Sequence, residues 1–163
     1  MVSQNIIHGD SLLQAVDLFK EYTNGVRTVP VLRGINLAIA KGEIVVIVGA
    51  SGAGKSTLLH ILGILDTPTS GSVLYNGVNL TRLSEKKQAD MRNRFFGFVF
   101  QFYHLLPDFT ALENVLLPCF IGNRFFRRET VTKGYTERAI SLLERVGLGD
   151  RLTHKPSQLS GGE

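Results

Sequence analysis

The stretch Gly49-Ala50-Ser51-Gly52-Ala53-Gly54-Lys55-Ser56 decides the fold of this 163-residue chain. It follows an apolar run at residues 44–48 and precedes a leucine-rich stretch, so it fits the phosphate-binding pattern G-x-x-x-x-G-K-[ST] between a strand and a helix. Glycines let such a loop turn tightly enough for its N–H groups to surround a phosphate, and the helix adds a favourable dipole. The pattern predicts that Lys55 reaches the β- and γ-phosphates of a nucleotide and that the Ser56 hydroxyl ligates Mg²⁺.

The composition indicates a globular protein. Hydrophobic residues make up 44% of the chain and charged residues 20%, which excludes a disordered chain. No apolar run reaches the roughly 18 residues that span a bilayer, and the N-terminus carries no secretory pattern. The single cysteine, Cys119, cannot form an internal disulfide. We therefore expect a cytoplasmic protein.

The charge of the chain is mildly basic, with a formal net value of +4. This excess suits a polyanionic nucleotide or an anionic membrane surface, but it is common among proteins that bind neither. The basic and aromatic residues at 124–128 form either a patch for nucleic acid or membrane, or a solvated loop between two helices. The loop is the favoured interpretation because so short a cluster is weak evidence.

The order of predicted elements indicates an α/β protein. Apolar and alternating patterns predict strands at residues 12–19, 31–40, 44–48, 72–75 and 95–100. Start and stop patterns predict helices after the phosphate loop, at 84–94, from 110 to about 118 or 122, and at 135–146. The strand at 44–48 is apolar throughout, as in a parallel sheet with both faces covered. The helix after the loop is apolar nearly all round and is predicted to be buried.

Two further motifs give the chain a family resemblance. Gln101 follows the predicted aromatic strand, and Leu159-Ser160-Gly161-Gly162-Glu163 comes later in the sequence. With the phosphate loop, and in this order, they make the chain resemble the ATP-binding subunit of ATP-binding-cassette (ABC) transporters. The resemblance implies an α/β P-loop NTPase core with an antiparallel β subdomain and a helical subdomain. Within one nucleotide-binding domain at 1–163, the core would cover 12–101, the helical subdomain 102–158 and the signature motif 159–163.

The stretches at 65–71 and 101–115 look most like the lipoprotein-releasing (Lol) branch of this family. ATPases of macrolide-type efflux pumps and cell-division complexes carry similar motifs and remain alternatives. The resemblance implies an ATP-hydrolysing subunit that powers lipoprotein release at the cytoplasmic face of the inner membrane. It also implies a homodimer that works with transmembrane permease subunits, and no nucleic acid is expected as a partner.

The resemblance assigns the nucleotide contacts to particular residues. Tyr22 would stack on adenine, although a packing role at a strand end is the alternative, and Tyr22→Phe is then expected to be nearly neutral. The phosphates of ATP would be held by Gly49, Ala50, Ser51, Gly52, Ala53, Gly54, Lys55, Ser56 and Thr57, the last touching the α-phosphate.

The remaining implied contacts lie in the second half of the chain. Gln101 would join Ser56 as a ligand of Mg²⁺, and its loop would contact the membrane subunit. The signature residues Ser160, Gly161 and Gly162 would close over the γ-phosphate bound by the other protomer. A hydroxyl and N–H groups at the start of a helix are suitable ligands for that anion.

The catalytic carboxylates of this family have no counterpart in residues 1–163. The family needs an apolar strand ending in Asp-Glu after the signature motif, and a later switch histidine. Gln14 interrupts the run that ends at Asp17, and Pro107 precedes Asp108 where a central strand needs an N–H donor. We expect residues 1–163 to be the N-terminal part of a longer ATPase, inactive alone, with the apolar strand edge at 44–48 exposed. A nucleotide-binding fragment that never hydrolyses ATP is the alternative.

Overall fold

The computed structural model describes residues 11–122 and 129–163. The chain divides into two compact units at the boundary between Arg92 and Asn93. The basic cluster at 124–128, for which the sequence left two interpretations open, lies outside the described residues.

An antiparallel sheet forms the first unit. Strands β1 (Ser11–Asn24), β2 (Arg27–Ala40), β3 (Ser70–Tyr75) and β4 (Val78–Asn79) are arranged in the order β2-β1-β3-β4. The first strand is longer than the predicted 12–19, so the turn predicted to follow it is mostly strand, and Tyr22 lies within β1. Cross-strand pairing explains the extension, because Tyr22 pairs with Val29 and Asn24 pairs with Arg27 across the hairpin.

Helix α1 (Lys55–Leu62) packs one face into the core of the first unit. The buried apolar side chains of this unit are Ala15, Leu18, Leu32, Leu58, Ile61, Leu62, Ile64, Val73 and Leu80. The prediction that the whole helix is buried is wrong, because Leu59 is exposed. Only the side that meets the sheet is covered within this unit.

The apolar run at residues 44–48 is not a strand of the sheet. It pairs with no strand of the first unit, and Ile44, Val46 and Val48 are 91%, 76% and 83% exposed. The prediction of a covered parallel strand is therefore wrong for the described residues, since a strand needs a hydrogen-bonding neighbour as well as apolar side chains. The expectation that this apolar edge lies exposed agrees with these values.

Helices dominate the remainder of the chain. They are α2 (Glu85–Phe95), α3 (Ala111–Gly122) and α4 (Glu129–Arg145), with short 3₁₀ turns at Leu80–Arg82, Gly149–Arg151 and Pro156–Gln158. Leu116 of α3 is buried, as are Ala139 and Leu143 of α4. The spacing of the last two confirms the amphipathic helix predicted from the sequence.

The aromatic segment at residues 96–100 belongs to no strand of the second unit, so the predicted strand at 95–100 is wrong. Phe95 instead ends α2. The rings of Phe96, Phe98 and Phe100 stack in succession, with centroids 6.5 and 5.5 Å apart. Side chains at i and i+2 share one face of a strand-like backbone, so this stacking reflects the alternating pattern of the sequence. No helix in the described ranges has the length and apolar character needed to cross a bilayer.

Candidate functional site

The phosphate loop is shaped by glycine at its junction with α1. Gly54 has φ 85° and acts as the N-cap residue of the helix without any side-chain cap. A Cβ at this position would lie 2.9 Å from the Val31 Cγ1 and 3.1 Å from the Val31 carbonyl oxygen. Both the left-handed backbone and the close approach to β2 therefore require glycine here. The first N–H groups of α1 have no acceptor within the helix, which leaves donors for an anion.

Lys55 folds back over this loop. Its ammonium group donates hydrogen bonds to the carbonyl oxygens of Gly49 at 2.9 Å and Ala50 at 2.6 Å. The side chain therefore holds a positive charge within the loop and links its two ends. A triphosphate bound to the loop would offer this ammonium stronger, charged acceptors.

Ser56 lies in the first turn of α1 and is exposed, while Thr57 next to it is half-buried. No acidic residue occupies this turn, so nothing there repels an anion. Mg²⁺ keeps several waters and takes phosphate oxygens as ligands, so one hydroxyl from the protein suits it. Ser56 fits that role, whereas the described ranges contain no group of three His, Cys, Asp or Glu side chains that could hold a metal alone.

Tyr22 is held by a cluster that the sequence did not reveal. Its hydroxyl donates to Oδ2 of Asp66 at 2.7 Å, and the Lys20 ammonium donates to Oδ1 of the same carboxylate at 2.7 Å. The ammonium also lies 4.7 Å from the centroid of the Tyr22 ring. Tyr22 as a whole remains 44% exposed, so the side chain is fixed at its hydroxyl end and still accessible to a ligand.

The Asp66 carboxylate is ionised in this cluster. Burial is the largest single influence and favours the neutral acid, but hydrogen bonds from Lys20, Tyr22 and the Thr67 N–H together lower the pKa of Asp66 below its ordinary value of 3.8. At neutral pH the carboxylate therefore accepts both side-chain hydrogen bonds with a full negative charge, which strengthens them.

The second unit carries Gln101 and the signature segment. Gln101 is exposed at the end of the aromatic segment. Two residues further on, the Tyr103 hydroxyl donates to the Gly161 carbonyl at 2.7 Å. Tyr103 and Gly161 line a cleft of about 330 Å³ together with Ser160 and Glu163. The segment after Gln101 and the signature segment are therefore neighbours within this unit.

Ser160 and Glu163 form a reciprocal pair. The Ser160 N–H donates to Glu163 Oε2 at 2.8 Å, and the Glu163 N–H points back to the Ser160 hydroxyl at 3.4 Å. Arg151 donates to Glu163 Oε1 at 3.1 Å. Hydrogen bonds from the Ser160 backbone and hydroxyl, and then from Arg151, lower the pKa of Glu163 from its ordinary 4.5 to about 2. This pairing is a capping box, as at the start of a helix.

The predicted site residues thus fall into three groups. The phosphate-loop residues are contiguous on the first unit, and Tyr22 lies on β1 of the same unit. Gln101 and the signature residues belong to the second unit. Sequence reasoning missed Lys20, Asp66, Tyr103 and Arg151, because their partners are distant in sequence. In the sequence, Asp66 is visible only as a charged residue before Thr67-Pro68, and that pattern by itself predicts a turn.

These motifs can be compared with those of known proteins. The sequence profile of the ABC transporter family matches residues 32–163, from β2 through the signature segment. The chain belongs to the ABC transporter family. This membership confirms the resemblance inferred from the sequence.

Relatives of this ABC cassette include lipoprotein-releasing system ATP-binding proteins. The LolD protein of Legionella pneumophila is 51% identical over 154 residues, which are 94% of this chain and 65% of the relative. The LolD protein of Shewanella frigidimarina is 54% identical over 153 residues, 94% of this chain and 62% of the relative. The chain therefore spans less than two thirds of the length of these relatives.

A solved structure supports the same fold. The dimeric post-hydrolysis structure of the ATP-binding cassette MJ0796, bound to ADP and Pi, matches with a TM-score of 0.82 and 37% identity. The match covers 91% of this chain and 63% of that one. The predicted α/β P-loop fold, with an antiparallel sheet and helices, is confirmed.

Proposed function

We propose that the first unit binds ATP with Mg²⁺ on the phosphate loop. The observation that carries this proposal is the Lys55 ammonium held within the loop by the Gly49 and Ala50 carbonyls. Lys55 is placed to neutralise the β- and γ-phosphates, while the free N–H groups of α1 and the loop surround them. Thr57 is assigned to the α-phosphate, and the exposed face of Tyr22 to adenine.

Magnesium would bind through the Ser56 hydroxyl and neutralise charge on the phosphate oxygens. Gln101 is assigned as a further ligand. We assign Ser160, Gly161 and Gly162 to the γ-phosphate bound by a second protomer, because their positions match the signature motif of the ABC family to which the chain belongs.

The whole protein is proposed to be an ATP-hydrolysing subunit that powers lipoprotein release. Support comes from about 50% identity to lipoprotein-releasing relatives across 94% of this chain. By the same likeness it would work as a homodimer with transmembrane permease subunits at the cytoplasmic face of the inner membrane. The similar MJ0796 cassette is itself a dimer in its post-hydrolysis state. Residues 1–163 by themselves are proposed to bind but not to hydrolyse ATP.

The phosphate assignment is tested by Lys55→Ala in the full-length protein. Removing this positive charge should abolish steady-state ATP hydrolysis or weaken MgATP binding in calorimetry by tenfold or more, since charged hydrogen bonds contribute about 1.5–3 kcal/mol. Lys87→Ala, which removes the same charge from an exposed position on α2, is the matched control and should behave as wild type. Normal hydrolysis by Lys55→Ala would refute the assignment.

A further inference from the structure

Two β1 side chains converge on one carboxylate from another segment. Lys20 and Tyr22 are two residues apart on a strand and so project from the same face. Asp66 follows α1, and its carboxylate receives the Lys20 ammonium on one oxygen and the Tyr22 hydroxyl on the other, each at 2.7 Å. The side chains of Lys20 and Asp66 are only 12% and 28% exposed, so this contact is better shielded than an ordinary surface ion pair.

The carboxylate is itself anchored. The Thr67 N–H donates to Asp66 Oδ1 at 2.7 Å, and the Lys20 ammonium also donates to the Thr67 carbonyl at 2.7 Å. Two more hydrogen bonds tie the same segment to β1: Thr69 N–H to the Phe19 carbonyl, and Glu21 N–H to the Thr69 hydroxyl, both at 2.9 Å. Asp66 therefore accepts the Tyr22 hydroxyl from a fixed position.

The cluster determines where the Tyr22 ring can lie. The hydroxyl is held by Asp66, and the Lys20 ammonium sits 4.7 Å from the ring centroid, a cation–π distance. An exposed tyrosine without these contacts would sample several rotamers, and ordering it would oppose ligand binding. Here these contacts hold the ring before a ligand arrives, and Tyr22 as a whole is still 44% exposed.

We propose that Asp66, supported by Lys20, is a positioning residue that holds the Tyr22 ring in the orientation that stacks on the base of a bound nucleotide. The inference rests on the adenine role assigned to Tyr22 in the proposed function. It changes one expectation from the sequence: Tyr22→Phe keeps the aromatic face but loses the hydroxyl that fixes it, so it is not neutral.

The experiment measures two ligands in the full-length protein by calorimetry: MgATP, and magnesium tripolyphosphate, which has no base. Tyr22→Ala should weaken MgATP binding about tenfold, the scale of base–aromatic stacking. Tyr22→Phe and Asp66→Ala should each weaken it about three- to tenfold, the scale of ordering one side chain. Tripolyphosphate affinity should stay unchanged in all three variants.

A double variant separates positioning from a purely structural role. Because Asp66 acts through Tyr22, adding Asp66→Ala to Tyr22→Ala should not weaken MgATP binding further. Asp90→Ala is the matched control, since it deletes an exposed aspartate of α2 by the same change and should bind both ligands normally. If Asp66→Ala does not fold, the MgATP affinity of Tyr22→Phe tests the inference by itself, because this variant leaves the Lys20–Asp66 pair intact.

The possible failures are distinguishable. Unchanged MgATP affinity in Tyr22→Ala would refute the adenine assignment and this inference with it. Weaker binding by Tyr22→Ala with normal binding by Tyr22→Phe would overturn the inference and leave the proposed function standing. Loss of tripolyphosphate affinity in Asp66→Ala, or a further loss of MgATP affinity in the double variant, would make Asp66 a structural support only.

Discussion

The groups that are proposed to contact a nucleotide form hydrogen bonds within the chain itself. The Lys55 ammonium is bound to the Gly49 and Ala50 carbonyls, and the Ser160 N–H is bound to the Glu163 carboxylate. Each polar group is therefore satisfied without a ligand, which keeps the loop and the signature segment ordered. A bound phosphate would replace these internal hydrogen bonds. The free energy of binding is therefore the difference between the new contacts and the internal ones.

The Glu163 carboxylate gives a prediction at the scale of one residue. Its pKa is about 2 in the folded protein against an ordinary 4.5, so its contacts stabilise the fold above about pH 4.5 and are lost as pH falls toward 2. We expect a carboxyl ¹³C titration by NMR to place the Glu163 inflection near 2. Arg151→Ala and Ser160→Ala should each raise this pKa. An inflection at 4.5 in the wild-type protein would show that these contacts are absent in solution.

At the scale of elements, the first residues of α3 form hydrogen bonds with two other segments of the second unit. The Ala111 and Leu112 N–H groups donate to the carbonyls of His154 and Leu152, just before the signature segment. Asn114 exchanges hydrogen bonds with the backbone of Leu106, at 2.9 and 3.2 Å. The start of α3 therefore ties the segment that follows Gln101 to the segment that precedes Ser160.

The capping box of α3 can be tested by one substitution. Thr110 N–H and hydroxyl donate to Glu113 Oε2 at 2.7 and 2.8 Å, and the Glu113 N–H returns to the Thr110 hydroxyl. Thr110→Ala should lower stability to urea by about 1 kcal/mol, the usual cost of a lost N-cap. Thr153→Ala, the same change at an exposed threonine outside the helix, should cost little. Equal stability of wild type and Thr110→Ala would mean that the box does not stabilise α3.

Elements with local start and stop patterns could be predicted, and elements that depend on distant partners could not. The Thr110–Glu113 box and the spacing of Ala139 and Leu143 lie within one helix each, so the sequence was sufficient. The runs at 44–48 and 96–100 have strand-like composition, but a strand exists only with a hydrogen-bonded neighbour. The Tyr22–Asp66 contact joins residues 44 positions apart, which no local pattern reveals.

At the scale of the whole molecule, each unit has a core of its own and carries different motifs. The first unit holds the phosphate loop and Tyr22 around a core that includes Leu18 and Ile61, and the second holds Gln101 and the signature segment around Leu116 and Leu143. The motifs of an ABC ATPase are therefore distributed over two units, and we expect the first unit to bind phosphate without the signature segment.

This distribution predicts that binding and hydrolysis separate in a polypeptide of residues 1–163. We expect the loop and Lys55 to bind MgATP weakly in this polypeptide, whereas residues 1–163 contain no Asp-Glu pair. Without a carboxylate to orient the attacking water and the metal, the in-line geometry of phosphoryl transfer is not assembled. We expect phosphate release by this polypeptide to stay at the level of full-length Lys55→Ala and far below that of the full-length wild-type protein. Comparable rates for the polypeptide and the full-length protein would place the catalytic carboxylate within residues 1–163, among groups that we have assigned to structure.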